Sequence, residues 1–335
     1  MHRRTLLTAA IGAAAIGWTR RPRAETRTVR LLRPVDLSAL PLLVMQHERL
    51  IERTAEAMGL GQVAVSWRAP EKAAPGEALA AGQVDFTTID LVPFLAVATA
   101  EPGNGAAIRA LGAIACRPYV LVTRNPAVRT IRDFAPRDRI AVPALNLSGP
   151  AVMLEMAAAL EWGIDNRERL TRLAVAMPDD NAAAELIAGK GDLTAHFSRV
   201  PYVDRELAEP GILRVMDSFD IAGMHSGSVV AATSRFRDAD PELCKAVLSA
   251  LQQAAEFIEK SPGAAAEIYA GMAPDDDTPP EGLADMIGDP DLVYTAAPAG
   301  LMRIADFMHR IGRLPRRISD WRELFLPESR HLAGS

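Results

Sequence analysis

Short polar groups at the ends of apolar runs are where this sequence could do chemistry. Asp36, Leu37 and Ser38 follow an apolar run at 29–32, and Thr88 and Asp90 close the run that begins at Val84. Asn146, Ser148 and Gly149 stand before an Ala-rich stretch, and His196, Phe197, Arg199 and Tyr202 follow Thr194. Such residues suit binding more than bond-making. Carboxylates and hydroxyls offer hydrogen bonds to a small molecule, and a helix start at Ser148 offers unpaired N–H groups and a positive dipole end to an anionic group.

Covalent or metal chemistry would leave other marks. The chain has two cysteines, Cys116 and Cys244, in a strand-like and a helical run, and they read as two buried thiols. There is no phosphate-binding loop, zinc spacing or nucleophile elbow. The acidic turn "APDDDTPPEG" lacks the ligand spacing and closing glutamate of a calcium loop. No catalytic residue, metal or cofactor is expected. Asp36, Ser38 and Asp90 could equally serve as helix caps, and a lone histidine is more often structural than ligating. His196 is nevertheless taken as a ligand contact, because it stands at the expected edge of a cleft. His225 and Ser226, beside a second crossing of the chain, join the candidates.

The elements that must position these groups repeat. "LAAGQVDFT" at 79–87 and "LIAGKGDLT" at 186–194 are identical at five of nine positions, including Gly82 with Gly189 and Asp85 with Asp192. Each reads as a short helix, a glycine stop and a strand. Around them strands alternate with helices: a helix from about Ser38 to Met58, strands at 63–67 and 84–88, then a helix at 91–100. This rhythm implies α/β units with mainly parallel sheets. Residues 111–116 and 119–123 are joined by Arg117-Pro118 with no room for a helix, so the chain leaves its first sheet there. It crosses back through "SFDIAGMHSGSVVAAT", and helices at 241–258 and 301–311 dominate the rest. In open α/β sheets ligands sit beyond the carboxyl ends of strands, so two duplicated tips facing one another would line one cleft.

With 335 residues, 49% hydrophobic and 24% charged, the chain can bury one large or two moderate cores. Residues 1–24 read as an export signal. Arg3 and Arg4 precede an apolar run too short to span a bilayer, in a twin-arginine-like pattern, with cleavage after Ala24 or after Gly17. Removing its five arginines from 37 basic residues leaves 32 against 42 acidic ones. So acidic a chain argues against nucleic acid and anionic membrane as partners. No cysteine near the signal could take a lipid, so no direct membrane anchor is expected and the product should be soluble in the periplasm.

Four stretches, "LAAGQVDFTTIDLVPFLA", "VRTIRDFAPRDRIAVPA" with "SGPAVMLEMAAA", "AELIAGKGDLTAHF" and "FMHRIGRLPRRISDWRELF", span nearly the whole chain beyond the signal. In their joint order they resemble the periplasmic substrate-binding proteins of ABC importers, in the nitrate, sulfonate and taurine group with the type II periplasmic-binding-protein fold. The resemblance implies a lobe of 27–117 plus 223–335, a second lobe of 118–222, and two crossing strands as hinge. It also implies a monomer that closes on a small, anionic organic or oxyanion solute and delivers it to a membrane permease and its ATPase. An enzyme or a ligand-sensing receptor on the same fold is the alternative. Relatives often carry Trp-Pro after "LTA", whereas this chain has His196-Phe197-Ser198-Arg199-Val200-Pro201. A sulfonate or nitrate preference is therefore not carried over, and an organic anion with an apolar portion is expected instead.

Overall fold

The computed structural model describes residues 27–69, 75–100, 107–274 and 278–335; the expected signal at 1–24 lies outside them. In chain order the strands are β1 (Arg27–Leu32), β2 (Val63–Arg68), β3 (Phe86–Asp90), β4 (Ile108–Cys116), β5 (Val120–Thr123) and β6 (Ile140–Val142). They continue with β7 (Ala174–Ala176), β8 (Ala195–Ser198), β9 (Leu213–Asp217), β10 (Ser226–Thr233) and β11 (Val293–Tyr294).

These strands form two sheets of one design. The first runs β11-β4-β10-β3-β1-β2 and the second β7-β6-β8-β5-β9. In the first, β1 pairs in parallel with β2 and β3, while β10 is antiparallel to both β3 and β4. In the second, β6 pairs in parallel with β7 and β8, while β5 is antiparallel to both β8 and β9. The reversed inner strand of each sheet is the one laid down just after the chain crosses over: β5 follows β4 after residues 117–119, and β10 follows the return from β9. Too short a link for a crossover helix forces β5 out of the first sheet, as its sequence requires.

The duplicated stretches hold equivalent places. Gly82 (φ 68°) and Gly189 (φ 61°) both end a helix in the left-handed region, where a side chain would be strained, and each feeds the strand beside the reversed one. The helix expected from Ser38 to Met58 is instead two helices, Leu40–His47 and Leu50–Ala57, separated by Arg49 at φ 52°. No glycine or proline marks that break.

Burial follows from strand composition. Residues from Ala110 to Cys116 of β4 are buried without interruption, as a strand covered on both faces must be. The helix Pro241–Lys260 buries Leu243, Val247, Leu251 and Ile258 on one stripe, each worth roughly 1.5–3 kcal/mol. At the C-terminal end, Phe325 packs edge-on against Trp321 of its own segment and against Phe94, which fastens the last segment to the helix Leu91–Thr99. Cys116 and Cys244 are both buried and unpaired. Among the described residues no helix is long and apolar enough to cross a membrane, and no His, Cys, Asp or Glu cluster could hold a metal.

Candidate functional site

Beyond the carboxyl ends of β1 and β3 lies a cavity of about 280 Å³. The turn after β1 contributes Asp36 and Ser38, β3 contributes Thr88 and Asp90, the reversed strand β10 contributes Ser228, and the second sheet contributes Arg199. Asp36 is held in place by its turn. Its Oδ1 accepts the Ala39 N–H at 3.1 Å and the Ser38 hydroxyl, so the capping role seen in the sequence is real and coexists with a place in the cavity. Asp90 is different. It precedes the helix Leu91–Thr99, but its carboxylate makes no cap bond, is exposed, and forms no hydrogen bond or ion pair among the described residues.

Arg199 comes immediately after β8 and crosses toward the other unit. Its Nε donates to Asp179 Oδ2 at 2.7 Å and its Nη1 reaches Ser38 Oγ at 3.5 Å. Burial works against its charge, but Asp36, Asp179 and Asp90 more than offset that and hold the guanidinium firmly protonated. One side chain thus reaches from the second sheet to the Ser38 hydroxyl and into the field of both carboxylates of the first.

No protein-family model matches the chain, and no curated protein matches it significantly. Solved structures do match. The alkanesulfonate-binding protein SsuA from Xanthomonas axonopodis pv. citri, bound to MOPS, superposes with a TM-score of 0.66 at 18% identity, over 91% of this chain and 98% of that one. The periplasmic nitrate-binding protein NrtA from Synechocystis PCC 6803 gives 0.67 at 13%, over 91% and 87%. A Candida albicans protein with the generic periplasmic binding protein structural fold gives 0.65 at 14%, over 89% and 96%. This chain has the periplasmic-binding-protein fold. At such identities the likeness speaks for the fold alone.

On that fold, five of the sequence-expected residues, Asp36, Ser38, Thr88, Asp90 and Arg199, line the cavity. The others are placed elsewhere. Leu37 is fully buried, and its carbonyl accepts the Tyr294 hydroxyl at 2.9 Å. His196 is also fully buried, with Nδ1 2.7 Å from Glu206 and Nε2 3.4 Å from Asp179. The correction has a simple cause: the second strand runs to Ser198, so its tip is Arg199, and His196 and Phe197 lie inside the sheet. Burial disfavours the imidazolium, but the two carboxylates outweigh it and raise its pKa. Burial likewise opposes ionisation of Asp179, yet bonding from His196 and the charge of Arg199 hold its carboxyl down at about 2. The series Glu206–His196–Asp179–Arg199 fixes the guanidinium at the cavity mouth.

Phe197 packs edge-on against Tyr119, whose ring also stacks on His225 at 5.9 Å. His225 is bonded to Ser218 at 2.8 Å, and burial pushes its pKa down to about 4, so it sits neutral beneath the cleft rather than in it. The helix start offered to an anion is also closed. Ser148 accepts the Ala151 N–H and donates to the Ala144 carbonyl, while Gly149 lies so close to Tyr119 that a Cβ there would meet the ring at 2.5 Å. Asn146 is exposed and gives its carbonyl to Arg313. Tyr202 lines a second cavity of about 390 Å³, which shares Asp36 with the first. Neither thiol is activated: burial raises both, Cys244 to about 12.

Sequence reasoning missed Ser228, two residues past the candidate Ser226 and paired with Asp90. It also missed Asp179 and Glu206. Only the acidic first turn of the helix Asp179–Ala188 hinted at the former, and nothing near Glu206 marks it as a partner for His196.

Proposed function

We propose that this chain is the solute-capturing component of an ABC importer. Residues 27–117 with 223–335 form one lobe and 118–222 the other; they close over the cavity and hand the solute to a permease driven by its ATPase. Export through the twin-arginine-like signal places the protein in the periplasm, where it acts as a soluble monomer and performs no chemistry on its cargo. The observation that carries this reading is Arg199, extending from the second unit to Ser38 and into the field of Asp36 and Asp90 on the first. A side chain so placed makes a closed state differ in energy from an open one, and a ligand between the tips can shift that balance. Raised thiols and a neutral, buried His225 support a site without a nucleophile.

The test is a thermal-shift screen of the chain from Glu25 onward, with bound molecules recovered and weighed by mass spectrometry. A ligand at about a hundred times its Kd should add roughly 2.7 kcal/mol of stability. Recovery of the ligand unchanged is the expected result. Its conversion to a product would replace this reading with an enzymatic one.

A further inference from the structure

The charges around the cavity narrow the cargo. Asp36 and Asp90 face the space from the first unit, and Arg199, the cation that faces them, is already bonded to Asp179. Three carboxylates therefore share one guanidinium. Asp36 spends Oδ1 on its turn, which leaves Oδ2 without a hydrogen bond among the described residues. Asp90 spends neither oxygen, because its helix is not capped by it. The His196 imidazole does not offset the excess, since it lies behind Asp179 and is matched by Glu206. Arg117 is a second buried cation, but it packs against Gly227 and over the Tyr119 ring and does not line the cavity.

We infer that the solute carries a cationic nitrogen, an ammonium, amidinium or protonated heterocycle, that seats between Asp36 and Asp90. This rests on the solute-capture reading and names the cargo of that same cavity. The chemistry follows from what closure does. Bringing two walls together removes water from the carboxylates, and an unpaired carboxylate in a drying cavity resists that step. A cation supplies the missing partner and turns the resistance into attraction, with charge-assisted hydrogen bonds to Asp36 Oδ2 and Asp90. An oxyanion in the same space would meet two carboxylates and a guanidinium already committed to a third. The hydroxyls of Ser38, Thr88 and Ser228 can accept from further N–H groups, and the adjoining cavity adds Tyr202 with one acidic and one basic side chain, Asp180 and Arg205, so it brings no net positive charge. The expected anion of the sulfonate and nitrate proteins thus has no ready place here, because the helix start that would greet it packs against Tyr119 at Gly149 and its Ala151 N–H is taken by Ser148.

The experiment is isothermal calorimetry on the chain from Glu25 with matched probes of opposite charge: benzamidine against benzoate, butylamine against butanesulfonate, and guanidinium chloride against sodium nitrate. The result expected is saturable binding of at least one cationic probe and of none of the anions, weakened at least about tenfold by Asp90→Asn and again by Asp36→Asn, which retains a capping side chain. Binding of anionic probes alone, or cation binding indifferent to both substitutions, would overturn the charge inference and leave solute capture standing. Silence from all six probes, with no molecule recovered on the purified protein, would overturn both.

Discussion

The two strand tips that face each other across the cavity are built from one repeated stretch and end in opposite electrical states. On the first unit β3 closes with Asp90, a carboxylate that makes no hydrogen bond or ion pair among the described residues and meets Arg199 only through its field. On the second, β8 leads to Arg199, whose charge is matched by Asp179, which is in turn bonded to His196 and through it to Glu206. The repeat fixes the backbone, with a left-handed glycine feeding a strand beside the reversed one in both copies. It does not fix the tip. One side of the cleft is internally balanced and rigidly held, the other is left with charge to spare, and selectivity is expected to come from the side with charge to spare.

The largest effect expected from this comparison separates two residues that the repeat makes equivalent. Asp85 accepts the Arg30 backbone N–H at 2.8 Å and binds its guanidinium at 2.7 and 3.1 Å, whereas Asp192 is exposed and makes no side-chain hydrogen bond among the described residues. Asp85→Ala should cost about 2–3 kcal/mol in urea unfolding and Asp192→Ala less than about 0.5. Equal costs would mean the copies are not built differently.

Next comes the pH dependence of the balanced tip. With Asp179 held at about 2, its contribution of roughly 2 kcal/mol is present above its unfolded value and lost as pH falls from about 4 toward 2. His196 is raised, so its contribution is complete below about 6.5 and lost as pH rises through its higher folded value. Asp179→Asn should flatten the acid limb and His196→Gln the alkaline one, both read from melting temperature against pH. Unchanged profiles would remove the relay.

Smaller differences follow on the opposite tip. Asp36→Ala should lose about 1 kcal/mol through its cap. Asp90→Asn, which removes no hydrogen bond and only a distant attraction for Arg199, should change the unliganded protein by less than about 0.5 kcal/mol. A clear loss on Asp90→Asn would mean its carboxylate has a structural partner.

The same contrast explains what the sequence disclosed. Asp36, Ser38, Thr88 and Asp90 were legible because polar residues at or shortly after the end of an apolar run stand near the carboxyl end of its strand. His196 and Phe197 were misplaced because the second strand starts three residues after Asp192, at Ala195, whereas the first starts directly after Asp85, at Phe86. That offset, created by the bend at 191–192, carries the tip to Arg199. The alternation of strands and helices and the early exit at Arg117-Pro118 gave away the two sheets. The left-handed turn at Arg49 and the pairing of His196 with Glu206 depend on tertiary packing that local spacing does not encode.

The central claim is that two facing units close on a solute, and small-angle scattering of the chain from Glu25 onward with and without a saturating ligand tests it most directly. The account predicts a smaller radius of gyration in the bound state, reversed on dialysis. Saturable binding with an unchanged radius of gyration would contradict it.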